Sequence, residues 1–147
     1  MKKVIALCFV MTFFACDSSA QPGIRFEKGV FKTAMEKAKK EKKYLFVDVY
    51  TTWCPPCKYM SEKIFTQKSV GDYFNATFVN FKVDAERGEG PAFMQRYRVE
   101  AFPTFLLLDG EGNLVGKMVG GSPAEEFIEQ VKELKAKADL NSVKREE

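Results

Sequence analysis

The sequence predicts one α/β domain, a central mixed β-sheet flanked by helices in the order βαβαβαββα. Three observations carry that prediction. Two nearly continuous apolar runs rich in β-formers, "YLFVDVY" at 44–50 and "FPTFLLLD" at 102–109, have the length and composition of strands covered on both faces. Segments with apolar residues at helical spacing alternate with them. The chain of 147 residues shows no repeat, low-complexity tract or linker, and its 46% hydrophobic content with 14 Phe is enough to fill one core. Its 23 basic and 20 acidic residues are scattered, for a net charge of +3, so neither nucleic acid nor a polybasic membrane contact is implied.

Taken in order, "GIRFEK" at 23–28 is a candidate first strand. Phe31, Ala34, Met35 and Ala38 then recur at helical spacing with lysines opposite, an amphipathic helix on a core. The run at 44–50 is a central strand whose one charge, Asp48, is anomalous. A helix starts at "CPPC" and runs through Met60 and Ile64, with further turns near Val70, Tyr73 and Phe74. "TFVNFKVD" at 77–84 is a strand, and "GEGPAFMQRYRV" a short helix with Pro91 in its tolerant first turn. "FPTFLLLD" and "LVGKMVG" form an antiparallel hairpin turned by "GEGN". The last helix has a start signal: Ser122 as N-cap, Pro123 first, Glu125 as capping-box partner, and Phe127, Ile128, Val131 and Leu134 inward.

Residues 1–20 read as an export signal. Lys2 and Lys3 precede an apolar run, Val4 to Ala15, that is short for a bilayer span and is followed by small polar residues. Two processing readings stand: cleavage after Ala20 in "SSA", or lipidation of Cys16 in "FFAC", where Phe13 and Phe14 fit a small-residue lipobox poorly. Cleavage after Ala20 is preferred. The expected mature domain is 21–147, outside the cytoplasm, in a bacterial periplasm, and Cys8 leaves with the signal.

Cys54 and Cys57 remain, two residues apart behind the central strand. A zinc site needs four ligands, but one CxxC supplies two and the chain has no histidine. Covalent haem attachment wants His after the second Cys, and Lys58 stands there. An inert staple remains the plain alternative, although so short a loop stabilises little. A CxxC between strand and helix favours redox chemistry. Cys54 at the helix start meets unsatisfied N–H groups and the positive end of the dipole, which favour a thiolate. Cys57, one turn in and less exposed, suits a resolving thiol. Pro55 and Pro56 fix φ there without the loss of a helix hydrogen bond. Asp48, inside an apolar strand, loses hydration, so its pKa is expected to rise toward general-base range. The alternative is a core carboxylate satisfied by a hydrogen bond.

"VDVYTTWCPPCK", with Asp48 six residues before Cys54, and "FPT" at 102–104 resemble the thioredoxin superfamily. The whole mature sequence shares this resemblance, and "VFKTAMEKAKKEKKYLFVDVYTTWCPPCKYM" is most similar to the exported group that includes the C-terminal domain of the membrane thiol-reductant transporter. The resemblance implies a thioredoxin fold and a monomeric thiol-disulfide oxidoreductase with no cofactor beyond its own cysteines. It makes Cys54 the nucleophile, Cys57 the resolving thiol and Asp48 a proton shuttle to or from Cys57. It makes Pro103 a cis-proline, with the Phe102 backbone and Pro55 at the substrate groove and Trp53 either a docking surface or a shielding aromatic. In thioredoxin itself a lysine lies near the buried Asp; the matching position here is Asn80, with Lys82 two residues on along the same face. Implied partners are protein disulfide substrates and a membrane thiol-reductant donor. Strong oxidants of the superfamily carry a His between the cysteines. Two prolines stand there here, so Cys54 is expected to be only moderately acidic and the pair a reductant. Readings kept beside this one are an oxidase or isomerase, and a non-catalytic binding module.

Overall fold

The computed structural model describes residues 22–146. The signal segment, Cys8, Cys16 and both processing points lie outside the described residues. The elements are α1 Phe31–Glu41, β1 Leu45–Tyr50, α2 Pro55–Tyr59 continued by a π-helical turn Met60–Ile64, α3 Lys68–Thr77, β2 Val79–Asp84, α4 Gly90–Tyr97, β3 Thr104–Leu108, β4 Leu114–Val119 and α5 Ala124–Glu146. The four strands lie in the order β2-β1-β3-β4. β1 runs parallel to β2 and antiparallel to β3, and β3 runs antiparallel to β4.

β1 and β3 sit in the middle of this sheet and are buried on both faces, which is why their sequences are apolar without alternation. On one face Val47, Val49, Leu106 and Leu108 pack with Ala34 and Ala38 of α1 and with Phe93 and Tyr97 of α4. On the other, Phe46, Phe105 and Leu107 pack with Met60, Ile64, Phe74, Phe127 and Val131. That second core is built from rings: Phe46 stands edge-on to Phe74 at 4.8 Å, Phe74 stacks on Phe127 at 5.3 Å, and Phe105 meets Phe127 edge-on at 5.0 Å. Each such pair adds about 0.5–1.5 kcal/mol beyond burial. α5 lies so close over β4 that a Cβ on Gly116 would come within 2.6 Å of the Leu134 side chain.

Two expectations need correction. The candidate first strand shrinks to one parallel bridge, Phe26 with Asn80. Its backbone is engaged elsewhere: Ile24 N–H donates to Phe65 O at 2.7 Å, Arg25 N–H to Asn75 Oδ1 at 2.8 Å, and only Glu27 N–H reaches β2, at Asn80 O, 2.8 Å. The last helix also starts later than its signal suggested. The first helical bond runs from Phe127 N–H to Pro123 O at 2.8 Å, which makes Pro123 the cap residue, while the buried Ser122 hydroxyl donates to Gln130 Oε1 at 3.0 Å.

Candidate active site

β1 ends at Tyr50, and four residues later Cys54 is the N-cap of α2, with Pro55 and Pro56 in the first two helical positions. Neither proline has an N–H. The first donor the helix start can offer is therefore that of Cys57, and it points at Cys54 Sγ, 3.3 Å away. Lys58 N–H closes the first full turn on Cys54 O at 3.1 Å. A disulfide joins Cys54 and Cys57, with Cα atoms 5.3 Å apart, inside the span a disulfide bridges without backbone movement. In this oxidised form the two are equally covered, Cys54 3% and Cys57 4% exposed. The expected difference in exposure is absent from this oxidised form. What distinguishes them is position, since Cys54 is the cap and Cys57 lies within the helix.

Asp48 lies one layer inward on β1, 2% exposed. Strand alternation places it on the face of Phe46, the face covered by α2 and its π-helical continuation. The register sets Lys82 of β2 on one side of it and Phe105 of β3 on the other. Lys82 Nζ donates to Asp48 Oδ2 at 2.5 Å and to Ser61 Oγ at 3.0 Å. The same ammonium lies over the rings of Tyr50, Phe26 and Phe65, 4.7, 5.0 and 5.1 Å from their centroids. Asp48 Oδ1 is buried without a hydrogen-bond partner among the described residues. Burial pushes the Asp48 carboxyl above the usual carboxylate range, and the Lys82 charge and hydrogen bond pull it back by less. Asn80, in contrast, lies opposite Phe46, one pleat away from Asp48. The cation beside the carboxylate is thus supplied by Lys82.

Trp53 is 62% exposed, so it is not a core aromatic. Its indole Nε1–H donates to Glu86 Oε1 at 3.0 Å, and its ring stands edge-on to Phe102 at 6.2 Å. The Phe102–Pro103 peptide bond is cis. Pro103 is buried, and its carbonyl accepts from Gly120 N–H at 2.9 Å. Pro55 is exposed on the rim. The structure therefore gathers the two cysteines at the helix start, with the exposed Trp53 next to Cys54 in the chain and its ring against the half-buried Phe102. Asp48 belongs to a separate polar group below, with Lys82 and Ser61. Sequence reasoning did not single out Ser61 or Glu86. Ser61 had a signal, four residues after Cys57 and so on the same helical face. Glu86, in the turn after β2, had none.

Among the described residues, no group of three or more His, Cys, Asp or Glu side chains is placed to hold a metal. No described helix is long and apolar enough to cross a membrane.

A family model described as a thioredoxin-like domain matches residues 31–135, most of the chain and every element from α1 into α5. The chain belongs to the thioredoxin-like family. Thioredoxin H5 of Arabidopsis thaliana is 32% identical over 96 residues, covering 65% of this chain and 75% of that protein. The solution structure of a disulphide-isomerase candidate from Bacteroides thetaiotaomicron superposes with a TM-score of 0.68 at 44% identity, covering 76% of this chain and 92% of its own. The C-terminal domain of DsbD from Neisseria meningitidis, in oxidised form, superposes with a TM-score of 0.60 at 26% identity, over 75% of this chain and 97% of that one. With its CxxC pair joined at the start of α2, this thioredoxin-like chain is a protein disulfide oxidoreductase.

Proposed function

We propose that the protein reduces disulfides in other proteins outside the cytoplasm. Cys54 thiolate attacks one sulfur of the substrate disulfide. A bond forms between Cys54 Sγ and that sulfur, the substrate S–S bond breaks, and the departing substrate thiolate takes a proton from solvent. Cys57 then passes its thiol proton to the Asp48 carboxylate and attacks Cys54 Sγ, which releases the second substrate thiolate. The substrate gains two electrons and the protein is left with the Cys54–Cys57 disulfide, the state described above. A reductant of the dithiol class must return it to the working form. We assign that step to a membrane thiol-reductant donor, and the likeness to the DsbD C-terminal domain supports the assignment.

The observation that carries the direction is the proline pair. Because Pro55 and Pro56 remove two N–H groups from the helix start, the Cys54 sulfur has one backbone donor among the described residues, from Cys57, and no neighbouring histidine or lysine supplies a second stabiliser between the cysteines. A less stabilised thiolate makes a more stable disulfide and a more reducing pair. Trp53, Phe102, Pro103 and the exposed Pro55 form the face on which an extended substrate strand docks beside Cys54. The disulphide-isomerase candidate from Bacteroides, at 44% identity, favours a second reading, isomerisation, with the same first attack.

Residues 1–20 we take as a leader and 21–147 as the mature monomer. Mass spectrometry of the exported protein distinguishes a start at Gln21 from a lipidated Cys16. Equilibration with glutathione redox buffers tests the direction. A reductase stays oxidised in buffers that fully reduce a strong oxidant; a pair reduced in buffers that leave thioredoxin oxidised sinks the reductase assignment.

A further inference from the structure

Lys82 is the better exposed member of its ion pair, with a quarter of its side chain open to solvent against 2% for Asp48. A lysine with that freedom has rotamers that carry it into water, and its loss from the pair would leave a buried carboxylate alone. Something must hold it in place. Of the three N–H donors on its ammonium, one goes to Asp48 Oδ2 and one to Ser61 Oγ, while the Tyr50, Phe26 and Phe65 rings close around the head group. The rings attract a cation but do not fix its direction. The Ser61 hydroxyl does.

Ser61 also has a particular address. Cys57, Met60, Ser61 and Ile64 fall at helical spacing i, i+3, i+4, i+7, and Cys57, Met60 and Ile64 are buried against the sheet. The π-helical turn, closed by Phe65 N–H on Met60 O at 2.8 Å, adds Phe65 to that inward face beside Lys82. We propose that Ser61 is a positioning residue for Asp48: it accepts from Lys82, fixes the ammonium on the buried carboxylate, and ties that ion pair to the helix that carries Cys57. This rests on the role given above to Asp48.

The other groups around the pair do not replace this anchor. β1 contributes the Tyr50 hydroxyl, raised above its usual range by burial, and β2 contributes Asp84, whose carboxylate lies 3.7 Å from Arg87. α2 contributes Cys57, held in the disulfide, with Lys58, Glu62 and Lys63 on the exposed side of the same helix. Beside Phe26, Glu27 is bound by Lys37 at 2.6 Å, and β3 presents Phe105.

The test is a carbon-13 NMR titration of the Asp48 carboxyl in the oxidised protein, compared across wild type, Ser61→Ala, Ser61→Thr and Lys82→Met, with thermal melts to confirm that each variant folds. Without its acceptor Lys82 spends less time on Asp48, so Ser61→Ala should raise the midpoint, on the order of half a pH unit, the scale one net hydrogen bond carries through linkage. Lys82→Met should raise it further, Ser61→Thr should restore the wild-type value, and Ser61→Ala should add nothing in the Lys82→Met background. A wild-type midpoint in Ser61→Ala, or an equal shift with and without Lys82, overturns the proposal. The titration does not depend on turnover. If the midpoint moves as expected while the pH profile of mixed-disulfide resolution does not, the positioning role stands and the proton-shuttle role of Asp48 fails.

Discussion

Asp48 and Lys82 face each other across the β1–β2 ladder with the ammonium 2.5 Å from Oδ2, while Oδ1, on the same buried carboxyl, has no partner among the described residues. One oxygen is occupied by the Lys82 ammonium and the other is not. Burial raises the pKa of this group more than Lys82 lowers it.

The first consequence concerns stability. A carboxyl whose folded pKa lies above its unfolded value binds its proton more tightly in the native state, so its contribution is fully present below the ordinary carboxylate pKa and is lost as pH rises through the raised value. Asp48→Asn removes that loss. The mutant should therefore gain stability over wild type as pH climbs above the ordinary carboxylate pKa and through the raised value, by about 1.4 kcal/mol for each unit of upward shift. Urea unfolding at a series of pH values measures it, and a gap that does not change with pH contradicts a raised Asp48 pKa.

The second concerns the rate of resolution. In the proposed mechanism the base form of Asp48 accepts the Cys57 proton, so resolution should accelerate as pH rises through the Asp48 pKa, above the usual carboxylate range, and Asp48→Asn should slow it near neutrality, by about 10²-fold on the scale of general-base loss. Stopped-flow decay of a preformed mixed disulfide reads this step directly. Superimposable profiles for mutant and wild type would leave Asp48 as a core polar residue.

The order of the cysteines makes a third prediction. Cys54→Ser should abolish insulin reduction. Cys57→Ser should retain the first attack and accumulate a mixed disulfide on Cys54, because no second thiol can release the substrate. Mass spectrometry of the trapped adduct checks it, and equal inertness of the two variants rejects the order.

Trp53 projects into solvent, pinned by Glu86 and Phe102. Trp53→Ala should leave folding stability within about 0.5 kcal/mol, as exposed positions do, yet raise KM for a protein substrate several-fold with little change in kcat. A large fall in Tm with unchanged KM would make it a structural aromatic.

Phe127 contacts Phe46, Phe65, Phe74 and Phe105 and is fully buried. Phe127→Ala should cost about 3–5 kcal/mol by chemical denaturation, whereas the same change at the exposed Val143 should cost little.

The element order from α1 onward, the buried strands, the helix at the CxxC and the place of Asp48 were legible in the sequence because each rests on local patterning. Continuous apolar runs mark strands covered twice, helical spacing marks a packed face, and a charge inside such a run stands out against it. Fidelity to local signals also explains the two errors. "GIRFEK" has the composition of a strand, but its N–H groups go to Phe65 and Asn75, which are distant in the chain, so pairing with β2 is limited to Phe26 and Glu27. The capping signal at Ser122 lost to Gln130, one of the side chains of the helix it was to cap. The partner of Asp48 depended on register between β1 and β2, which sequence periodicity leaves free by two residues at a time without changing the face, so that Asn80 and Lys82 were equivalent until the strands were aligned. The Ser61 contact and the pinning of Trp53 by Glu86 needed the helix docked on the sheet and the loops placed. By itself the sequence determined the chemistry at hand, two thiols at a helix start and a carboxylate in a core, because those depend on residue type and local period. Only the tertiary structure decided which cation holds that carboxylate and from which helix, because such partners are chosen by distance through space.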